Sequence, residues 1–381
     1  VQHVYVHVPF CRRRCSYCDF SIAVRRHVPA AGYVAAVRTE LAQLRRAGVV
    51  DDRPLETVYF GGGTPSLLEP DALRTLLRDI VASTPRLDAV EVTLEANPED
   101  VTPARAAAWR AAGVNRVSLG AQSFDDGVLA WMHRPHDAAR IGAAAAALRT
   151  AGMANVSLDL IFALPPALER DWDRDLDRTL ALEPAHVSLY GLTVEARTPL
   201  ARWIARGAVR PTDDERYATE YLRAAERLGA AGYEFYEVSN AARPGRRSLH
   251  NSAYWTARSY VGLGPAAHSF DGRARRWNVA PWAAYQRALA EGRSPLAHEE
   301  VLTDEQRRLE ALYLGLRTEA GVPATVGPPD RLTTWLAAGW VRRVGERLVC
   351  TAEGWLRLDA LIGDLTGHPA TSQIITTKEV A

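Results

Sequence analysis

Short β-branched runs recur through the first half of the chain, at residues 3–8, 57–60, 89–95, 116–119, 156–162 and 186–192. Each is followed by an Ala/Leu/Arg-rich stretch of helical spacing. Roughly 30 to 50 residues separate successive runs, the rhythm of repeated βα units, which requires a parallel sheet with right-handed crossovers. Six such units close part of a (β/α)6 barrel, an architecture that puts functional side chains just past the C-terminal ends of its strands. The chain carries chemistry at those places. Cys11, Cys15 and Cys18 follow the first run, and Gly61-Gly62-Gly63-Thr64-Pro65 follows the second. Glu95-Ala96-Asn97-Pro98 ends the third, Gly120-Ala121-Gln122-Ser123 follows the fourth, Asp159 lies within the fifth, and Thr193 and Glu195 follow the sixth. Any one of these alone is ordinary turn or cap chemistry. Six polar strand ends together point to a shared site.

Beyond residue 211 the pattern changes. Thr212-Asp213-Asp214-Glu215 reads as a capping box opening a helix, and residues 233–238 read as another strand. Pro244-Gly245 breaks the chain before a dense segment, His250-Asn251-Ser252-Ala253-Tyr254-Trp255, with His268 further on. Near residue 300 a second boundary is expected. Thr303 to Gln306 opens a helix, a second helix runs near 331–338, residues 340–351 form a hairpin turning at Gly345-Glu346, and a last helix follows Glu353. The expected organisation is a barrel over 1–211, an extension over 212–299, a small winged-helix-like α+β domain over 300–366 and a polar tail over 367–381. Arg342, Arg343 and Arg347 on the hairpin read as a solvated edge or as a nucleic-acid contact, and no nucleic-acid partner is expected.

Composition narrows the function classes. The 381 residues are 47% hydrophobic and 24% charged, enough to bury a large core. A formal charge of +1 gives no global attraction to nucleic acid or anionic membrane. No apolar run has the length of a membrane span. No secretory leader precedes the first strand, and four cysteines in so long a chain are no disulfide framework, so a reducing cytoplasm is expected. Lys378, in the tail, is the sole lysine among 46 basic residues. P-loop phosphate transfer and Schiff-base catalysis each need a positioned lysine and are thereby excluded.

The spacing Cys11-x3-Cys15-x2-Cys18 is the most specific signal. A structural zinc site wants four closed ligands, for which His7 or His27 would have to complete a Cys3His set. Redox C-x-x-C chemistry would use Cys15 and Cys18 and leave Cys11 unexplained. A 4Fe-4S cluster fits better, because three thiolates on one loop hold three irons and leave the fourth open to another ligand.

This loop, with Tyr17 before its last cysteine, resembles the signature of the radical S-adenosylmethionine (SAM) superfamily, whose fold is a partial barrel. More narrowly, "YVHVPFCRRRCSYCDF", "YFGGGTPS", "LEANP", "GAQSF", "DLIFALP" and "HNSAYW", in this order, resemble the family of oxygen-independent coproporphyrinogen III oxidase and the heme chaperone HemW. The resemblance implies that SAM chelates the open iron through its methionine end, and that one electron from the cluster cleaves the sulfonium to a 5'-deoxyadenosyl radical. It implies Tyr5 and Tyr17 beside the cluster and adenosyl group, and Gly61, Gly62, Gly63 and Thr64 at the methionine. Glu95, Gln122, Arg134, Asp159 and Thr193 follow as polar contacts to SAM. Arg134 suits a carboxylate, although its place after Trp131-Met132-His133 equally suits a surface helix.

Two departures set the chain apart from the oxidase pattern: Phe20 stands where the oxidase carries a further cysteine, and the arm before the first strand is short. His250-Asn251-x-x-Tyr254-Trp255 resembles the H-N-x-x-Y-W motif associated with heme binding in the chaperone. It implies His250 as axial ligand, with His268 a second candidate; a packed turn capped by Asn251 is the other reading. The expected function is a heme chaperone using a 4Fe-4S cluster and SAM. Alternatives are a radical SAM methyltransferase or cyclopropane-forming enzyme, and coproporphyrinogen III oxidase itself. The expected partners are heme, a heme-accepting apoprotein and an electron donor such as flavodoxin or ferredoxin, which Arg12, Arg13 and Arg14 on the cluster loop would guide unless they form only a solvated rim.

Overall fold

The computed structural model describes residues 1–84 and 86–367. The six expected strands form as β1 (His3–Val8), β2 (Thr57–Gly62), β3 (Glu91–Ala96), β4 (Arg116–Gln122), β5 (Asn155–Phe162) and β6 (His186–Gly191). All five successive pairs are parallel, so the strands lie in chain order. Between them run the helices Ala30–Arg46, Pro70–Ile80, Pro103–Ala112, Ala138–Thr150 and Trp172–Ala181, and Asp214–Ala230 follows β6. The partial barrel is therefore the observed architecture.

Period-2 alternation explains how the sheet closes around a site. Val4, Val6 and Val8, then Val58 and Phe60, Val92 and Leu94, Val117 and Leu119, Leu158 and Leu160, and Val187 and Leu189 face the helices as one buried core. The alternate positions turn inward and are polar: Tyr5 and His7, Thr57 and Tyr59, Glu91 and Glu95, Arg116 and Ser118, Ser157 and Asp159, His186 and Ser188. Core energetics thus lie outside the barrel, and its lumen is free for chemistry.

The segment after residue 211 does not stand apart from this sheet. β7 (Glu234–Glu237) and β8 (Asn240–Ala242) add antiparallel to β6, while β9 (Val261–Leu263) adds parallel to β1 at the opposite edge. The nine-stranded sheet stays open, because β7 and β9 end its order. Glu40 stitches the β9 side together: it accepts from Tyr285 Oη at 2.5 Å, Asn278 Nδ2 at 2.5 Å and Gly264 N at 2.8 Å. Burial pushes its carboxyl up to about 7.

A three-stranded antiparallel sheet follows, β10 (His268–Phe270), β11 (Ala274–Asn278) and β12 (Leu296–Val301). The C-terminal unit has helices Asp304–Arg317 and Pro329–Ala337, then the hairpin of Val341–Val344 with Arg347–Cys350, joined by Val322–Pro323. Its order of helix, helix and hairpin is the winged-helix-like one expected. Arg347 bonds the Ala320 and Gly321 carbonyls and Arg343 pairs with Glu346, so these two hairpin arginines serve their own unit. The expected tail lies outside the described residues except for Gly367.

Candidate functional site

The cysteine loop is clamped at both ends over the barrel mouth. Phe10–Cys11 pairs in parallel with Ala23–Val24, with Ala23 N donating to Pro9 O at 2.7 Å and Arg25 N to Cys11 O at 2.9 Å. Phe10, fully buried, packs edge-on against Tyr33 and Trp282. In the middle, Ser16 N donates to Met132 O and Ser16 O accepts from Leu200 N, which ties the loop to elements following β4 and β6.

The glycine run seats this loop. A Cβ on Gly63 would lie 2.8 Å from the Pro9 carbonyl carbon, one on Gly62 2.6 Å from the His7 ring, and one on Gly61 2.8 Å from the Tyr5 ring. Each missing side chain is filled by β1 or the loop itself. The resemblance implies this run at the methionine of SAM; its first physical role is to let β1 and the cysteine loop sit directly on β2. Thr64 Oγ1 then lies 3.3 Å from Cys11 Sγ.

Whether these residues suit a cluster is a matter of donor chemistry. Among the described residues no three His, Cys, Asp or Glu side chains converge where a single metal ion would sit, so neither His7 nor His27 completes a zinc site. A 4Fe-4S cube puts each thiolate on a different iron and needs no such convergence. Burial pushes the Cys11 thiol up to about 11 and the Cys18 thiol up to about 12, so a metal bound there would have to displace their protons.

Arg134 is the cation of the site, and the structure takes it off the surface helix. It is held beside the loop, donating to Asn97 Oδ1 at 2.6 Å, Gly120 O at 3.0 Å and Cys15 Sγ at 3.7 Å. Its Nε is buried without a partner among the described residues, an orphaned donor of the kind a ligand carboxylate satisfies. Opposite in charge, Glu95 accepts from Tyr59 Oη at 2.9 Å and Gly62 N at 3.0 Å. Burial, reinforced by Asp159, pushes its carboxyl up to about 7. Asp159 accepts from Ser118 Oγ and Ser157 Oγ, and burial raises it also. Gln122 reaches the mouth through a left-handed turn at φ 67°. Tyr5 bonds His7 Nδ1 at 3.2 Å and stacks on Tyr59, while Tyr17 packs with Ile161 and Leu164.

Thr193 follows the C-terminal end of β6. It is exposed, donates to Gly191 O, and lines a cavity of about 270 Å³ with Leu192, Val194, Leu200, Ile204 and Tyr217. Of the three loop arginines, Arg12 pairs with buried Asp100 and Arg14 donates to Cys18 O, so only Arg13 projects without a bond among the described residues. Tyr59, Asn97 and Ser118 were not singled out from sequence; inward alternation from Glu95 and Asp159 was the available signal.

His250 packs against the N-terminal ends of β1 and β2. It is 1% exposed, at the opposite end of the barrel from the cysteines. Its Nδ1 lies 2.7 Å from Thr57 Oγ1 and its Nε2 2.8 Å from Tyr254 Oη. Both ring nitrogens are hydrogen-bonded within the chain. The helix Leu249–Trp255 is a plug: Glu91 accepts from Leu249 N and His250 N, and Arg317 stacks on Trp255 while pairing with Glu237. Its N-cap is Ser248, not Asn251.

Three comparisons bear on this geometry. A profile of the Radical SAM superfamily matches residues 5–179. The chain is 40% identical to the heme chaperone HemW of Mycobacterium tuberculosis, over 96% of this chain and 94% of that one. It is 33% identical to the heme chaperone HemW of Bacillus subtilis, over 84% and 85%. In fold it is similar to coproporphyrinogen III oxidase, HemN, from Escherichia coli, a radical SAM enzyme, with a TM-score of 0.79 at 20% identity over 96% of this chain and 90% of that chain. No helix among the described residues is long and apolar enough to cross a membrane. With a partial barrel bearing three cysteines at its mouth and this identity across nearly its whole length, the chain belongs to the HemW family of the radical SAM superfamily.

Proposed function

We propose that the chain is a heme chaperone that binds heme and passes it to an acceptor apoprotein, with a 4Fe-4S cluster on Cys11, Cys15 and Cys18 and SAM at the barrel mouth. The observation that carries this reading is the 40% identity, over 96% of the chain, to a protein named heme chaperone HemW. Likeness to the oxidase at 20% identity speaks for fold alone. Phe20, 48% exposed at the end of the cluster loop, supports it, since a further cysteine there belongs to the oxidase pattern.

When bound, the cluster supplies one electron toward the sulfonium of SAM. The chain's own residues do the rest. The orphaned Nε of Arg134 would hold the methionine carboxylate, and Glu95 would take the ammonium or ribose hydroxyls. Anaerobically reconstituted protein is expected to take up about one heme per chain in a hemin titration, and to release no carbon dioxide from coproporphyrinogen III with SAM and reductant. A flat titration, or decarboxylation at roughly 1 per second or faster, overturns the proposal. The electron donor would be a flavodoxin or ferredoxin docking at Arg13, and Arg13→Glu is expected to slow cluster reduction in a salt-sensitive way.

Glu95 gives SAM binding a pH dependence. A ligand cation favours the ionised carboxylate, whereas burial holds the free group at about 7. Below that pH a proton must leave before the pair can form. SAM affinity is therefore expected to fall about tenfold between pH 8 and pH 6, and Glu95→Gln to flatten the profile. An equally steep profile in Glu95→Gln would refute the assignment.

A further inference from the structure

Four polar side chains form an unbroken line from the start of the barrel sheet into the helix Leu249–Trp255. His3 Nδ1 lies 3.0 Å from Thr57 Oγ1, the same hydroxyl lies 2.7 Å from His250 Nδ1, and His250 Nε2 lies 2.8 Å from Tyr254 Oη. His3 and Thr57 stand opposite each other at the first positions of β1 and β2. Both imidazoles are almost wholly buried, His3 2% and His250 1% exposed, and Thr57 is fully so. Burial disfavours an imidazolium, so each ring is neutral and carries one proton. The hydroxyl also has one proton, so it donates to one histidine and accepts from the other. The line therefore runs in a single direction, and fixing one end fixes the whole. That end is His3. Its Nε2 is buried with no hydrogen-bond partner among the described residues and faces the Glu56 carboxylate, Oε2 at 3.9 Å. Glu56 is held in place by Gln2 Nε2 and Arg258 Nη1, each at 2.7 Å. A carboxylate oxygen favours the ring proton on the nitrogen that faces it. His3 Nδ1 is then bare and accepts from Thr57, Thr57 accepts from His250 Nδ1–H, and the lone pair of His250 is left on Nε2, where Tyr254 Oη donates to it.

We propose that Thr57 and His3 are positioning residues for heme, which hold His250 as the Nδ1–H tautomer and so keep its Nε2 lone pair ready for iron. The inference rests on the heme-binding reading above, with His250 as the axial ligand, and deepens it. An iron ligand needs a nitrogen free of its own proton, and the line supplies one before heme arrives. Tyr254, half-buried where His250 is not, lies on the side from which that nitrogen is reached, and its hydroxyl is the group that ligation displaces. The Tyr59 ring stacks on the imidazole at 5.1 Å and 29°, which holds the ring plane. A hydrogen bond donated from Nδ1 also makes the imidazole more basic at Nε2 and hence a stronger ligand. Thr57 and His3 would thus act on the iron without touching it.

The first measurement needs no heme and no mutation. Nuclear magnetic resonance of full-length protein labelled at its histidine ring nitrogens is expected to show His250 protonated at Nδ1 and His3 at Nε2. The opposite pair of tautomers overturns the proposal. The second measurement is hemin titration of the cluster-loaded protein together with the reduction potential of the bound heme. Thr57→Val, close in shape but without the hydroxyl, is expected to weaken hemin about tenfold or more and to raise the potential, because Nδ1 loses its acceptor. Thr57→Ser is expected to restore both. His3→Phe, which leaves the hydroxyl in place, is expected to abolish the tautomer preference of His250 and to weaken hemin by a smaller factor. Wild-type affinity and potential in folded Thr57→Val, or a Thr57→Ser protein as impaired as the valine variant, overturns the role. Should Thr57→Val fail to fold, the tautomers of wild type and His3→Phe decide. A wild-type protein that binds no hemin removes the heme-chaperone reading itself, whereas hemin bound tightly with the wrong tautomer removes the positioning role alone, so the two failures are distinguishable.

Discussion

Alanine at Cys11, Cys15 or Cys18 is expected to abolish the iron-sulfur cluster, taking anaerobically reconstituted protein from about four irons per chain to near none. Three thiolates are all that this site offers, because the fourth cysteine, Cys350, is buried in the C-terminal hairpin strand. The loop is fixed by bonds that do not involve sulfur, among them Ala23 N to Pro9 O and Ser16 N to Met132 O. Each variant should therefore fold and lose only its metal, an outcome separable from unfolding by circular dichroism. Cys350→Ala should keep the full cluster and its broad visible absorption. Any of the three loop variants retaining a stable cluster, or Cys350→Ala losing it, would refute the ligand set.

Much of this arrangement is legible in the sequence, because barrel strands are written by alternation and their ends by abrupt polarity. Glu95 and Asp159 sit inside β-branched runs where a surface role makes no sense, and both face the lumen. Three things escape such reading. Arg134 lies 12 residues past the end of β4, and only the turn through Asn97 and Gly120 brings it to the loop. The strands β8 and β9 are three residues each, too short for any period to show, so their joining both edges of the barrel sheet is a tertiary fact. His250 and Tyr254 do share a helix face at i, i+4, as the spacing requires. Their side chains meet there, His250 Nε2 at 2.8 Å from Tyr254 Oη, and Thr57 Oγ1 takes the other ring nitrogen from a strand far away in sequence. A motif shows which residues go together; the atoms that remain free are decided by packing.

The backbone of the mouth is strained, and one buried arginine holds it. Gln122 and Ala163, at the ends of β4 and β5, both have left-handed backbones, φ 67° and 58°, which for side chains other than glycine cost about 1–3 kcal/mol each. Just after the first, Asp175 accepts from Phe124 N and Ser123 Oγ, both at 2.8 Å. At the second, Glu220 accepts from Ala163 N at 2.7 Å. Arg170 lies between these carboxylates, 2.5 Å from Glu220 and 3.5 Å from Asp175, its side chain fully buried and stacked on Trp172. Removing it leaves two buried carboxylates sharing less positive charge, since Glu220 retains Arg216 but Asp175 retains no cation among the described residues. Arg170→Met is therefore expected to lower unfolding free energy by about 3–5 kcal/mol, the usual consequence of breaking a buried pair from one side, measured as a shifted urea midpoint. Adding Asp175→Asn to that variant should recover part of the loss, because the uncompensated charge is what destabilises. At temperatures where Arg170→Met remains folded it should keep its cluster iron yet bind SAM more weakly, because the cysteine loop is anchored elsewhere and Gln122 is not. Wild-type stability together with wild-type SAM affinity would show that neither turn depends on Arg170.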